Sequence, residues 1–316
     1  AQDAARVALD ILDLLNESWR LGEHAEVRLS ACLGISLFPE HGQNPEELLQ
    51  QADSALHQAK TEGKGRFQFF SAELTQTARE RSDLEARLRR GIADGQLRAY
   101  YQPQVDIASG RIIGAEALVR WQEPEHGLIP PGRFIPLAEE TGLISEIGAW
   151  VLRETCRQGR AWMDQGLPPL SLAVNLSAHQ LRHDDIVTLV LQTLEETGFP
   201  AQHLELELTE TALMQRAVEV VAVLEQLRAL GVTLAMDDFG TGYSSLAYLK
   251  RFPLDVLKVD KSFVDDLPQQ QDAMEIVATI IAMGHTLGMD VVAEGVETAE
   301  QLAFLRSKGC NHYQGY

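Results

Sequence analysis

The chain is poor in basic residues, cysteine and long apolar runs, and each shortage closes off a class of function. Lys and Arg number 27 against 46 Asp and Glu, a formal net charge of −19, and no basic stripe offsets the excess. A surface of that sign repels polyanions, which argues against polymeric nucleic acid as a partner. A small phosphorylated molecule stays admissible only where a cation, such as a bound metal ion, locally reverses the field. The three cysteines, Cys32, Cys156 and Cys310, are odd in number, far apart and without a CxxC pair. Neither a disulfide framework nor a zinc knuckle is indicated, and a reducing cytoplasm is the expected setting. No apolar run approaches the length of a bilayer span, and the first residues are acidic where a secretory leader would be basic. This segment is expected to make no membrane contact. A membrane-anchored parent protein stays open, because the sequence starts inside a helical pattern. No low-complexity tract or internal repeat occurs, which removes solenoids.

What is present is a chain of 316 residues, 45% hydrophobic, long enough for more than one core. Residues 4–19 read as an amphipathic helix, and 27–38 as a strand-like run ended by Pro39, Gly42 and Asn44. Asn44 and Pro45 then cap a helix through EELLQQADSALHQAK, closed by Gly63 and Gly65 before a short strand at 66–70. Two clear strands in about 70 residues make a small core, so this reads as the rear part of an α+β domain. Residues 72–94, with Leu74, Leu84, Leu88 and Ile92 among many charges, suit a largely solvated connecting helix. The expected division is 1–71, a linker helix at 72–83, and 84–316.

From Tyr100 onward short apolar runs, LSLAVN, LELEL, VTLAMDD, DVLKVD and DVVAE, alternate with helical segments at 186–197, 217–230 and 273–287. Strands of this kind are buried on both faces, which predicts a mostly parallel sheet wrapped by helices. About seven or eight such strands fit an α/β fold of the TIM-type (β/α)8 barrel class. A doubly wound open sheet is the alternative, but no GxGxxG follows the first strand.

The chemistry lies where the apolar runs end: Asn175, Glu207, Asp237 and Asp238, Lys258 and Asp260, and Glu294. In a parallel barrel those ends share one face. Glu116, in the earlier strand IIGAEALVRW, either points into the barrel or lies at its mouth. Carboxylates crowded into one mouth repel one another unless cations neutralise them. Oxygen ligands with one carboxamide and no cysteine favour Mg²⁺ or Mn²⁺ over zinc, and the adjacent Asp237 and Asp238 invite two ions, the arrangement that serves phosphodiester cleavage. Lys258 would hold or help deprotonate the attacking water, and Arg120 would grip a phosphate oxygen. A single acid at a strand end is more often a cap or turn former, but capping alone hardly yields so many in succession. DDFGTGYSS, residues 237–245, reads as a mobile loop or a plain connection, with Glu210 as a possible anchor. The nine histidines are scattered without an HExxH frame, His179 and His183 included, and are read as surface residues. Trp121, Trp150, Trp162 and Phe134 are read as packing rather than a base-stacking platform.

EALVRW (116–121), NLSAHQL (175–181), ELTE (207–210), DDFGTGYSS (237–245), LKVDKSFV (257–264), EGVET (294–298) and QGY (314–316), with YQP at 101–103, resemble the EAL-domain family in its order. The resemblance implies a barrel that hydrolyses cyclic di-GMP to linear pGpG with Mg²⁺ or Mn²⁺. It implies that Glu116, Asn175, Glu207 and Asp237 ligate one ion, and that Asp237, Asp238 and Glu294 serve a second. Lys258 then contacts the catalytic water and Glu210 supports the DDFGTGYSS loop. Gln102, Leu118, Arg120, Glu297 and Gln314 line the substrate site, with Asp260 a weaker candidate. LSACLGISLFP (29–39) and ADSALHQAKTEGKGRFQFF (52–70) resemble the end of a GGDEF domain, by analogy placing Lys60 and Lys64 near a nucleotide phosphate. The GGDEF signature hairpin is missing, so cyclase activity is not expected from these residues. The family resemblance also implies further residues beyond QGY that close the barrel. The expected function is cyclic di-GMP hydrolysis in bacterial second-messenger signalling, in a cytoplasmic homodimer. A receptor that binds cyclic di-GMP without cleaving it is the alternative, and a phosphodiesterase for another small nucleotide a third.

Overall fold

The computed structural model describes residues 2–16, 18–21, 25–70, 72–214, 217–240 and 249–315. Contacts divide the chain into two compact units, Ala1–Arg87 and Leu88–Tyr316. The division falls inside one helix.

In the first unit α1 (Gln2–Asn16) buries Ala8 and Leu12, one helical turn apart. It is shorter than the predicted 4–19, because Ser18–Leu21 forms β1 and pairs antiparallel with β2 (Ala25–Arg28). Pairing thus overrides a helical pattern there. The single run predicted at 27–38 is likewise split. Its start belongs to β2, whereas β3 (Cys32–Ile35) pairs parallel with β4 (Arg66–Phe69) in a separate sheet. Between them α2 (Pro45–Glu62) begins as predicted: Asn44 accepts from the Glu47 N–H at 2.8 Å, Pro45 fills the first turn, and Ala55 and Ala59 are fully buried.

The second unit contains the end of α3 (Ala72–Ala93), where Leu88 is wholly buried. The predicted connecting helix therefore contributes its last turns to a core. Eight strands close a ring in the order β5 (Leu97–Asp106), β6 (Ile112–Glu123), β8 (Ser171–Asn175), β9 (Leu204–Thr209), β10 (Thr233–Phe239), β11 (Val256–Val259), β12 (Asp290–Ala293) and β13 (His312–Tyr313), which returns to β5. The short β7 (Gly127–Ile129) extends β6 outside the ring. All neighbours in the ring are parallel except that β5 runs antiparallel to both β6 and β13. A connection of five residues joins β5 to β6, and so tight a turn can join only antiparallel strands.

The crossovers are helical: α4 (Pro131–Thr141), α5 (Ile144–Asp164), α6 (Ala178–His183), α7 (Ile186–Thr197), α8 (Glu210–Met214), α9 (Ala217–Ala229), α10 (Lys261–Val264), α11 (Gln271–Thr286) and α12 (Ala299–Ser307). Alternation within strands decides what faces inward. In β9 the leucines 204, 206 and 208 occupy one face and Glu205 and Glu207 the other, all buried. Ala235, Val256 and Val292 form an apolar cluster. Each stands two residues before Asp237, Lys258 and Glu294, so it shares their face and floors the polar mouth. Trp121 and Phe134 are fully buried in edge contact at 6.0 Å, as packing residues. No helix among the described residues is long and apolar enough to cross a membrane.

Candidate metal and substrate site

At the C-terminal ends of the parallel strands stands Lys258, on β11 and fully buried. Its Nζ lies 2.8 Å from Glu207, 2.8 Å from Glu294, 3.3 Å from Asp237 and 3.5 Å from Glu116. Glu207 itself has no solvent exposure. Glu116 points into the site and is held on both oxygens, by Asn175 Nδ2 at 2.7 Å and by Gln314 Nε2 at 2.6 Å. Carboxylate oxygens of Asp237, Asp238 and Glu294 lie within 4.8 Å of one another. Side chains separated by up to nearly two hundred residues thus share one mouth because their strands end at one level.

One ammonium cannot neutralise this many carboxylates. Burial would lower the Lys258 pKa, but Glu207, Glu116, Asp237 and Glu294 outweigh it and hold the lysine charged, well above its ordinary value. The carboxylates divide. Burial pushes Glu207 well up and Glu294 to about 7 despite the attraction of Lys258. Burial also works against Glu116, yet Lys258, Gln314 and Asn175 together keep it below the usual carboxylate range. Asp238 is raised by burial and by the negative charges of Asp237 and Asp260. Glu207 Oε2 and Gln314 Oε1 are buried without a hydrogen-bond partner. Orphaned oxygens, an excess of negative charge and an all-oxygen donor set fit divalent hard cations.

Glu205 was not singled out by the sequence. It lies two residues before Glu207 on the same inward face, is buried, and has a pKa pushed to about 7, first by burial and then by Glu116, Asp237 and Asp255 against the pull of Lys258. The alternation in LELEL was the available signal, since it places both glutamates inward.

The remaining candidates are placed as follows. Glu210, at the start of α8, is buried and its Oε2 accepts from the Gly240 N–H at 3.0 Å. Residues 241–245 of DDFGTGYSS lie outside the described residues. Gln102 is opposite Glu116 in the β5–β6 register, and its Nε2 is 3.4 Å from the Gly315 carbonyl. Leu118 lines a cavity of about 260 Å³ with Asn175 and Thr209 beside the mouth. Arg120 has its guanidinium 5.7 Å from the centre of the Tyr100 ring and donates to the Val119 carbonyl at 2.9 Å. Glu297 is exposed and paired with Lys261 at 2.7 Å. Asp260 caps α10, accepting from the Ser262 N–H at 3.1 Å. His179 and His183 stack on α6, their ring centres 4.6 Å apart, outside this cluster.

Residues 85–316 match the family described as EAL domain. The chain belongs to the EAL domain family. Residues 1–66 match the family described as diguanylate cyclase, GGDEF domain, so an EAL domain follows a GGDEF-type segment. The protein named bifunctional diguanylate cyclase/cyclic di-GMP phosphodiesterase MucR, from Pseudomonas aeruginosa, is 46% identical over 314 residues, which are 99% of this chain and 46% of that protein. Cyclic di-GMP phosphodiesterase PdeR of Escherichia coli is 42% identical over 310 residues, 98% of this chain and 46% of its own length. The chain therefore spans less than half of these two relatives. The solved structure titled PaMucR Phosphodiesterase, c-di-GMP complex, has a TM-score of 0.71 and 49% identity, covering 74% of this chain and 94% of the other. Its agreement with the closed ring assigns the barrel to the EAL domain fold.

Proposed function

We propose that this EAL domain is a divalent-metal-dependent phosphodiesterase that opens cyclic di-GMP to linear pGpG. The observation that carries the reading is Lys258, buried and surrounded by Glu116, Glu207, Asp237 and Glu294 at the barrel mouth. Relatives named as cyclic di-GMP phosphodiesterases, and a related EAL structure titled as a cyclic di-GMP complex, support the substrate. Glu116, Asn175, Glu207 and Asp237 would hold one Mg²⁺ or Mn²⁺, and Asp237, Asp238 and Glu294 a second. When bound, such ions supply the positive charge that offsets the developing charge on the phosphodiester oxygens.

The chain's own groups do the rest. Lys258 Nζ donates hydrogen bonds into the centre of the mouth, where it orients a water for in-line attack. Asn175 and Gln314 fix the Glu116 carboxylate, so that its position does not depend on substrate. Leu118 and the cavity beside it offer apolar surface to a purine, and Arg120 on the rim offers a charge-assisted donor to phosphate. Gln102, opposite Glu116 in the strand register, and Glu297 would contact the substrate, and Asp260 would act through the cap of α10. The active form is read as a cytoplasmic homodimer. Incubating the protein with cyclic di-GMP and Mn²⁺ and separating the nucleotides chromatographically is the test. The expected product is pGpG, abolished by EDTA; unchanged substrate over a range of protein and metal concentrations sinks the reading.

A further inference from the structure

Successive residues of a strand point to opposite faces, yet Asp237 and Asp238 both bring carboxylate oxygens within 4.8 Å of those of Glu294. The backbone shows how. The pairing of β10 with β11 slips between Met236 and Phe239, and Asp238 has φ of 54°, the only positive value at a non-glycine among the described residues. A bulge of this kind re-aims a side chain at a functional site, and a left-handed aspartate persists only where its surroundings fix it.

Two contacts do so, and they come from different elements. The Gly240 N–H is held by Glu210 Oε2 from α8. On the other side the Phe263 ring presses on Gly240, so closely that a β-carbon there would lie 2.7 Å from a ring atom. Gly240 has φ of 100°, so both its conformation and its neighbour demand glycine. Phe263 is anchored through its own helix, which follows β11. Its helix α10 is capped by Asp260, and the carbonyl of Val264 accepts from the buried Gln301 Nε2 at 3.0 Å.

We propose that Phe263 is a positioning residue whose ring, pressed on Gly240, holds the bulged end of β10 so that Asp238 joins Asp237 and Glu294 at one divalent-cation position. The inference rests on the metal-dependent reading above. Its test compares Phe263→Ala and the milder Phe263→Leu with the wild type in three measurements: calorimetric titration with Mn²⁺ alone, cyclic di-GMP binding in EDTA, and turnover against Mn²⁺ concentration. The alanine change is expected to weaken Mn²⁺ binding about tenfold, the lower end of what supporting residues contribute, and to raise the Mn²⁺ requirement for turnover in step. Leucine recovers most of both, while cyclic di-GMP affinity in EDTA stays near wild type. Should the alanine variant unfold, the leucine variant decides: a residual loss of Mn²⁺ affinity beyond experimental error, with dinucleotide affinity in EDTA unchanged, supports the proposal, and Mn²⁺ affinity equal to wild type overturns it. Unchanged Mn²⁺ binding in a folded alanine variant overturns the proposal, as does an equal loss of Mn²⁺ and dinucleotide affinity. A wild type that binds Mn²⁺ without turnover refutes the phosphodiesterase reading alone, since the binding comparison still decides the role of Phe263.

Discussion

Gln314 shows how much a single neutral side chain does at this mouth. It is buried, donates to Glu116 Oε2 at 2.6 Å, and keeps its own Oε1 without a partner. Its backbone is tied to the end of β12 by its N–H to the Ala293 carbonyl at 2.9 Å, and to the segment that follows by its carbonyl, which accepts from the Val296 N–H at 3.1 Å. At the next residue there is no room for a side chain, because a β-carbon on Gly315 would overlap the Val296 backbone. Gln314→Leu keeps the shape and removes the donor. Mn²⁺ affinity and kcat are expected to fall about tenfold with little change in KM; a rise in KM with kcat unchanged would assign Gln314 to the substrate instead. Sequence reasoning found Gln314, but placed it with the substrate-lining residues. Its bond to Glu116 joins positions nearly two hundred residues apart and needed the closed ring to be seen. The acids at strand ends were legible because buried apolar runs make a terminal polar residue conspicuous. Glu205 was missed for the converse reason, being enclosed within such a run.

Among the elements, the barrel strands from β8 to β12 were readable, since each is a short, largely buried and mostly apolar run, whereas β13, two half-buried residues, gave no such run. The reversed direction of β5 follows from the short turn at its end rather than from any property of the strand. In the first unit, local patterns misled where pairing partners decide the outcome: β1 replaced the end of a predicted helix, and one predicted strand became two in different sheets. The bulge of β10 had a sequence sign in Gly240, but a left-handed Asp238 has none, because aspartate visits that region only occasionally and nothing in the local sequence marks where. The predicted cap of α2 by Asn44 and Pro45 held because capping is local chemistry that needs no tertiary information.

At the scale of the whole molecule, the acidic excess converges on one place where it is most costly, and this makes stability depend on pH and metal. Glu294 and Glu205 have folded values near 7, against an ordinary 4.5, chiefly through burial. Between about pH 4.5 and 7 the folded protein therefore retains protons that the unfolded chain has released, so stability of the metal-free protein falls as pH rises through that window. Glu116 acts in the opposite sense, but its lowered value confines it to lower pH. Melting curves in EDTA are expected to show a lower Tm at pH 7.5 than at pH 5, with Mn²⁺ restoring the loss at the higher pH. A metal-free Tm that climbs steadily from pH 5 to 7.5 would mean that the cluster is not desolvated as described.

The convergence itself is tested most directly by anomalous diffraction at the manganese edge from crystals soaked with Mn²⁺. Two peaks are expected at the barrel mouth, one contacted by Glu116, Asn175, Glu207 and Asp237, the other by Asp237, Asp238 and Glu294. No peak among these residues at saturating Mn²⁺, in crystals where the same strand ends are ordered, would contradict it.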